Sequence, residues 1–432
     1  MQRHVHTARA LAALVLLALF GAQPAAALTP DEAHFLLLRT GFEPSAAEVN
    51  DFVPLDKNAA VARLLAGLRT GADAVPSWVG DPWPFVPEAK KGASADQAVV
   101  KRALRNTERK HERDLQTFWV GQMVNSPSPL TERLVLFWHN HFTSSLEKVN
   151  PPQLLWQQDR VIRQYSGGNF ASFLHAMARD PAMTLYLDSQ DNRKGKPNEN
   201  FARELLELFT LGEGHYQEAD IKEAARAFTG WHVDRQTGSF LVERRQHDAG
   251  PKTFLGKTGP FDGDDILDLV LDQKQTAVFL TEKLWREFVS PNPDPTEVAR
   301  LADVFRSSDY RLKPLLEALF LSDAFWNPAN RQALVKSPAQ LAVGFARSQG
   351  APADNAQLAN ALRGLGQDLF NPVSVKGWPT GTEWIDSSTL IGRHKMLQDQ
   401  LQSWEELHAL NLDLADDARL KALVASPAYE LY

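Results

Sequence analysis

The chain has 432 residues, 44 % of them hydrophobic, with 46 basic against 53 acidic side chains and no cysteine. This composition excludes a disordered tail, a collagen-like repeat and a disulfide-stapled miniprotein. The lack of cysteine also removes thiolate metal sites and cysteine nucleophiles. A formal net charge of −7 with both signs interspersed leaves no basic face, so no nucleic-acid partner is expected.

Arg3 and Arg9 precede an apolar run from Ala10 to Ala22, and Ala25-Ala26-Ala27 follows as a small-x-small cleavage pattern. Residues 1–27 therefore read as a secretory signal peptide. The run is shorter than the roughly 20 residues a membrane anchor needs. No later window is apolar enough to span a bilayer, which predicts a periplasmic or secreted chain with no transmembrane segment after cleavage. Residues 28–432 are expected to form a single helical domain. Within it, 28–95 makes an N-terminal subdomain with a Pro- and Trp-rich loop from Gly71 to Ala95, carrying Trp78, Trp83 and Phe85, and 96–432 makes the main body.

Asp96 to Met123 reads as a long, highly charged helix with a solvated face. Ser128-Pro129 caps the next helix, and Asn198 caps another that ends at Gly212. Ile266–Val270, Thr276–Phe288, Thr296–Arg306 and Leu312–Leu321 each put apolar residues on one helical face. Only Ser239–Val242 and Thr253–Leu255 look extended, with Gly250-Pro251 between them. The expected class is all-α, a multi-helix globular domain with at most a small β-hairpin excursion.

Polar residues are dense between Trp138 and Trp231: Trp138-His139-Asn140-His141-Phe142, Arg179-Asp180-Pro181, Asp188 through Lys194-Gly195-Lys196-Pro197-Asn198-Glu199-Asn200-Phe201-Ala202-Arg203-Glu204, and Phe228-Thr229-Gly230-Trp231. With His247-Asp248, Lys283-Leu284-Trp285 and Lys376-Gly377-Trp378-Pro379, these strings resemble the bacterial family catalogued as domain of unknown function 1800, over nearly the whole chain. The resemblance implies an exported protein, often encoded beside an exported family similar to the alkaline phosphatase and sulfatase group. It brings no established catalytic residues.

The candidates are therefore weighed on physical grounds. His139 and His141 are two apart, about 200° round a helix, so both reach one metal ion only if the helix ends between them. Otherwise one packs beside Trp138 and the other caps the turn. Asp188, Gln190, Asn192 and Glu199 match an EF-hand spacing, but Arg193 stands where that loop needs glycine, and Lys194 and Lys196 add positive charge. The same segment offers an anion site at Lys194, Lys196 and the Asn198 helix end; as plain structure it is a helix connection. Glu199, Arg203 and Glu207 form a polar stripe, and Glu204 lies nearer the apolar face, either paired with Arg179 or Arg226 or carrying a raised pKa. His247-Asp248 reads as a polar turn. Trp378 and Trp384 either stack on sugars or plug the core.

Trp138–His141, Asp188–Glu204 and His247 are expected to converge in one polar cleft. No cofactor is expected, and a divalent metal is left open. No nucleophile, base and orienter set can be assembled. The reading preferred from sequence is thus a binding or scaffold partner of another exported protein, for which the resemblance offers the alkaline-phosphatase-like neighbour. The alternative is a periplasmic or extracellular hydrolase of a polymer or anionic ester, with Glu204 or His139 as acid or base.

Overall fold

The computed structural model describes residues 26–81, 95–234, 236–349, 354–408 and 426–432. The leader expected over 1–27 falls on residues 1–25, outside the described residues, and so do Trp83 and Phe85 of the expected loop. Among the described residues the chain is mostly helical, with two small two-stranded antiparallel sheets, and no helix is long and apolar enough to cross a membrane.

Local chemistry sets the helix starts. Thr29 with Glu32 and Ser45 with Glu48 make reciprocal capping boxes for helices Pro30–Thr40 and Ala46–Phe52. The long charged helix spans Ala95–Asn125, and its buried stripe of Leu115, Trp119, Val120 and Met123 follows the three-and-four spacing that faces a core. Next comes Pro129–His141, the central helix, buried at eleven positions from Leu130 to His141. It packs against Gln153–Tyr165. Between them lies a fully buried ion triad, in which the Arg163 guanidinium donates to Asp159 at 2.7 Å and to Glu132 at 2.5 Å.

Further helices cover Phe170–Ala178, Pro181–Tyr186, Glu218–Ala227, Gly263–Leu271, Lys274–Phe288, Pro295–Ser307, Leu312–Phe320, Pro338–Gln349, Asn355–Gly364 and Ser387–His408. One hydrophobic cluster runs through them from Leu28 to Tyr429.

The segment expected to start at Asn198 differs in two respects. Its α-helix begins at Asn200, with the Asn198 side chain accepting the Asn200 amide at 3.0 Å, and after Glu204 it widens into a π-helix over Leu205–Thr210. The Thr210 hydroxyl donates to the Leu205 carbonyl five residues back, at 2.5 Å. Gly212 at φ 81 then stops it.

The extended segments sit where expected, but they do not pair with each other. Strand β1 (Trp231–Asp234) pairs with β2 (Ser239–Val242), and β3 (Lys252–Phe254) pairs with β4 (Lys257–Gly259). Each strand takes its neighbour in sequence because a tight turn folds it back. Between β3 and β4 the turn residues Leu255 and Gly256 are both left-handed, at φ 47 and 78, as a two-residue hairpin with right-handed strand twist requires.

Candidate functional site

The C-terminal end of helix Pro129–His141 is the centre of the site, and helical geometry sends its two imidazoles to different surroundings. His139 lies face to face with the Trp378 indole at 5.3 Å between ring centres, with Trp119 at 5.0 Å and Phe370 at 5.2 Å closing the other sides. Neither of its ring nitrogens has a hydrogen-bond partner, and burial lowers its pKa to about 3. It is a neutral ring in an aromatic box.

His141 packs against Trp138, Phe142 and Phe209. Its Nδ1 accepts a hydrogen bond from the Lys283 ammonium at 3.0 Å, which puts the imidazole proton on Nε2. Burial and the Lys283 charge hold His141 well below its ordinary pKa. Lys283 also donates to the Leu208 carbonyl at 3.3 Å, so it satisfies an acceptor at the end of the π-helix. Its own pKa is lowered to about 8, first by burial and then by Arg286. In sequence Lys283 stood only within the Lys283-Leu284-Trp285 string of the family resemblance, with no partner or role read for it.

The two imidazoles sit in separate surroundings. Among the described residues no group of three or more His, Cys, Asp or Glu is placed to hold a metal. The EF-hand spacing does not become a cage either. Asp188 accepts from Lys148 at 2.7 Å, the Asn192 side chain bridges the Ala225 carbonyl and the Asn198 amide, and Glu199 pairs with Arg203.

The loop that carries Trp378 links this helix end to a group of charged side chains, a charged rim. Trp378 reaches the helix end through its main-chain amide, which donates to the Asn140 side-chain oxygen at 2.6 Å. Gly377, at φ 96, makes this approach feasible, since a Cβ there would collide with Asn140. The docked loop carries Lys376 to within electrostatic reach of Glu204. Glu204 is half-buried, and burial, then Glu207, raises its pKa despite Arg203 and Lys376. Beside it Tyr186 is pushed up by burial and by Glu204 and Glu147, and the Lys148 ammonium lies 5.8 Å from the Tyr186 ring centre. Lys148, Tyr186, Asp188, Glu204 and Lys376 thus form one patch drawn from four segments.

Other expected partners differ. Neither Arg179 nor Arg226 serves Glu204: Arg179 pairs with Asp264 and lies over Trp231, and Arg226 pairs with Glu223 and Asp248. The Glu199–Arg203–Glu207 stripe breaks at Glu207, because the π-helix turns the following residues out of α phase. Arg203 pairs instead with Glu199 and Glu218, and Tyr216 donates to Glu207 at 3.4 Å.

Lys194 and Lys196 are exposed around Gly195, at φ 80. The first amide of the following helix, Asn200, is taken by the Asn198 side chain. His247 shares a hydrogen bond through Nδ1 with the Thr229 carbonyl at 3.0 Å, and Asp248, lowered to about 2 chiefly by Arg226, also accepts the Gly250 amide. The Asp188–Asn200 connection docks on this network through Lys194 N to Gln246 O at 2.7 Å and Gly230 N to Asn192 O at 2.9 Å. Among the described residues no hydrogen bond, ion pair or ring contact joins His139 or His141 to Asp188, Glu204 or His247. Trp378 and Trp384 are both buried, which makes them core and not sugar platforms.

A family model described as "Protein of unknown function (DUF1800)" matches residues 35–429, nearly the whole chain. No curated protein and no solved structure matches.

Proposed function

The chain belongs to the DUF1800 family, whose description assigns no activity, and from that premise we propose that it acts as a helical binding or scaffold partner of another exported protein. The carrying observation is a difference in burial. His139 and His141 are buried in ring boxes, while Lys148 and Lys376 are exposed and Asp188 is half-exposed on one charged patch. A rigid surface of mixed charge favours oriented docking. The partner proposed is the alkaline-phosphatase-like neighbour that the family resemblance suggests, and the place of meeting is the periplasm or the medium.

Co-expression with that neighbour tests the proposal. Lys148→Glu and Lys376→Glu should each abolish co-purification and leave the melting temperature unchanged; undiminished capture by both variants would overturn it. Fractionation with N-terminal sequencing tests export: the mature chain should begin at Leu28.

One observation favours the alternative hydrolase. Glu204 has its carboxyl pKa raised by burial and Glu207 and stands beside Tyr186, an environment suited to a general acid. In that reading Glu204→Gln abolishes turnover of an extracellular ester or polymer without loss of folding.

A further inference from the structure

The last described segment of the chain is held like a bound peptide. Residues 430–432 run antiparallel to Leu334–Lys336: Leu334 N donates to Tyr432 O at 3.1 Å, Tyr432 N returns to Leu334 O at 2.9 Å, and Lys336 N donates to Glu430 O at 2.8 Å, with Val335 and Leu431 opposite each other. Strand addition of this kind supplies sequence-independent affinity, and alternate side chains supply the selection.

Three side chains of the segment, those of Tyr429, Glu430 and Tyr432, have receptors. The Tyr432 ring lies 5.1 Å from the Arg39 guanidinium and 5.4 Å from that of Arg133, and its hydroxyl accepts from Arg133 at 3.0 Å and from Gln340 at 2.8 Å. Glu430, on the same face of the strand, accepts from Arg393 Nε at 2.6 Å. Tyr429 has the Lys336 ammonium 4.1 Å over its ring.

These receptors are fixed by contacts that do not involve the tail. Arg39 donates to the carbonyls of Phe288, Val289 and Asn330. Arg133 pairs with Glu287, Lys336 with Glu43 at 2.9 Å, Arg393 donates to the Lys336 carbonyl, and the Gln340 oxygen accepts the Ser337 amide. The three arginines are each no more than 1 % exposed. Because contacts outside the tail already orient these groups, an occupant has mainly itself to order.

We propose that this groove is a docking site for a Tyr-Glu-Leu-Tyr segment whose first two residues end a 3-10 turn and whose last two run alongside Leu334–Lys336, filled here by residues 429–432 of the same chain, and that the same segment of a second copy enters it when the resident one is displaced. The site shares no residue with the charged rim, so it stands or falls separately from the proposed function. A tethered segment competes at an effective concentration on the order of millimolar. Exchange is therefore suppressed in the intact chain and released when the resident tail is weakened.

A fluorescent peptide Ser-Pro-Ala-Tyr-Glu-Leu-Tyr, the sequence of 426–432, is titrated by anisotropy into the full chain and into the full chain carrying Glu430→Ala with Tyr432→Ala. The substituted chain should bind at least tenfold more tightly than the unsubstituted one and melt at a higher temperature with peptide present. Adding Arg393→Ala should weaken its binding tenfold or more. No saturable binding to the folded, doubly substituted chain overturns the proposal, as does equal binding of a peptide with alanine at the Glu and final Tyr positions. If that chain does not fold, Tyr432→Phe takes its place, losing only the hydroxyl held by Arg133 and Gln340; peptide binding no better than to the unsubstituted chain then overturns the proposal. For the second copy, the tail-weakened chain is mixed with an Arg393→Ala chain whose tail is intact. Light scattering should show a heterodimer, and monomers alone overturn that part.

Discussion

The amide of Trp378 donates to the Asn140 side-chain oxygen, and this bond between positions 238 apart holds the Lys376 loop over the end of the central helix. Gly377 is the adjacent residue at which a side chain cannot fit. Gly377→Ala should therefore cost on the order of 1–3 kcal/mol through the positive φ alone, with more from the collision. Asn140→Ala should cost less, about 1 kcal/mol for one hydrogen bond. Urea unfolding of both variants checks the order, and an equal or reversed ranking would mean that the loop is held by something else.

The buried triad leads to a second expectation. Arg163→Met leaves Glu132 and Asp159 both buried without their cation, and should lower stability by roughly 3–5 kcal/mol. Thermal denaturation followed by circular dichroism measures it, and a loss below about 1 kcal/mol would contradict the arrangement.

His139 predicts an acid-side effect. Its folded pKa of about 3 lies below the ordinary 6.5, so the unfolded chain takes up a proton there first as pH falls. Its contribution is fully present above about pH 6.5 and is lost progressively toward pH 3. His139→Phe keeps the stack on Trp378 and removes this loss. The variant's stability relative to the unsubstituted chain should rise between pH 7 and 4 in parallel denaturant titrations; a constant difference refutes it.

Asp180 runs the other way. It caps helix Pro181–Tyr186 and accepts from Gln158 at 2.8 Å, yet burial raises its pKa to about 7 from the ordinary 3.8. Between those values the folded chain binds the proton more tightly, so this group favours folding increasingly as pH falls from about 7 to 4. In Asp180→Asn that increment is absent, and the unsubstituted chain should gain on the variant over that range.

Much of the helical frame was legible because apolar spacing at three and four residues survives in the burial of Leu115, Trp119, Val120 and Met123 or of Leu280, Leu284 and Phe288. Strands β2 and β3 were legible, but β1, β4 and the pairing were not; the β3–β4 pairing depended on Leu255 accepting a left-handed turn that its residue type disfavours. At the candidate site, density of polar residues drew attention to stretches of chain but not to their partners. Nothing local says that His139 meets Trp378, that Lys283 meets His141, or that Lys376 comes to Glu204; each is a contact between distant segments. The phase slip at Leu205 was likewise invisible, because a π-helix and an α-helix share the same apolar pattern over one turn.

That slip has a bearing on insertions and deletions. A π-helical turn holds one residue more than an α-helix needs to close the same turn, so Leu205–Thr210 acts as a one-residue reserve in the middle of the chain. A chain shortened by a single residue there can close the helix without a gap. Glu207 would then swing back in line with Arg203, away from the Tyr216 hydroxyl, and Lys283 would lose the Leu208 carbonyl it now holds.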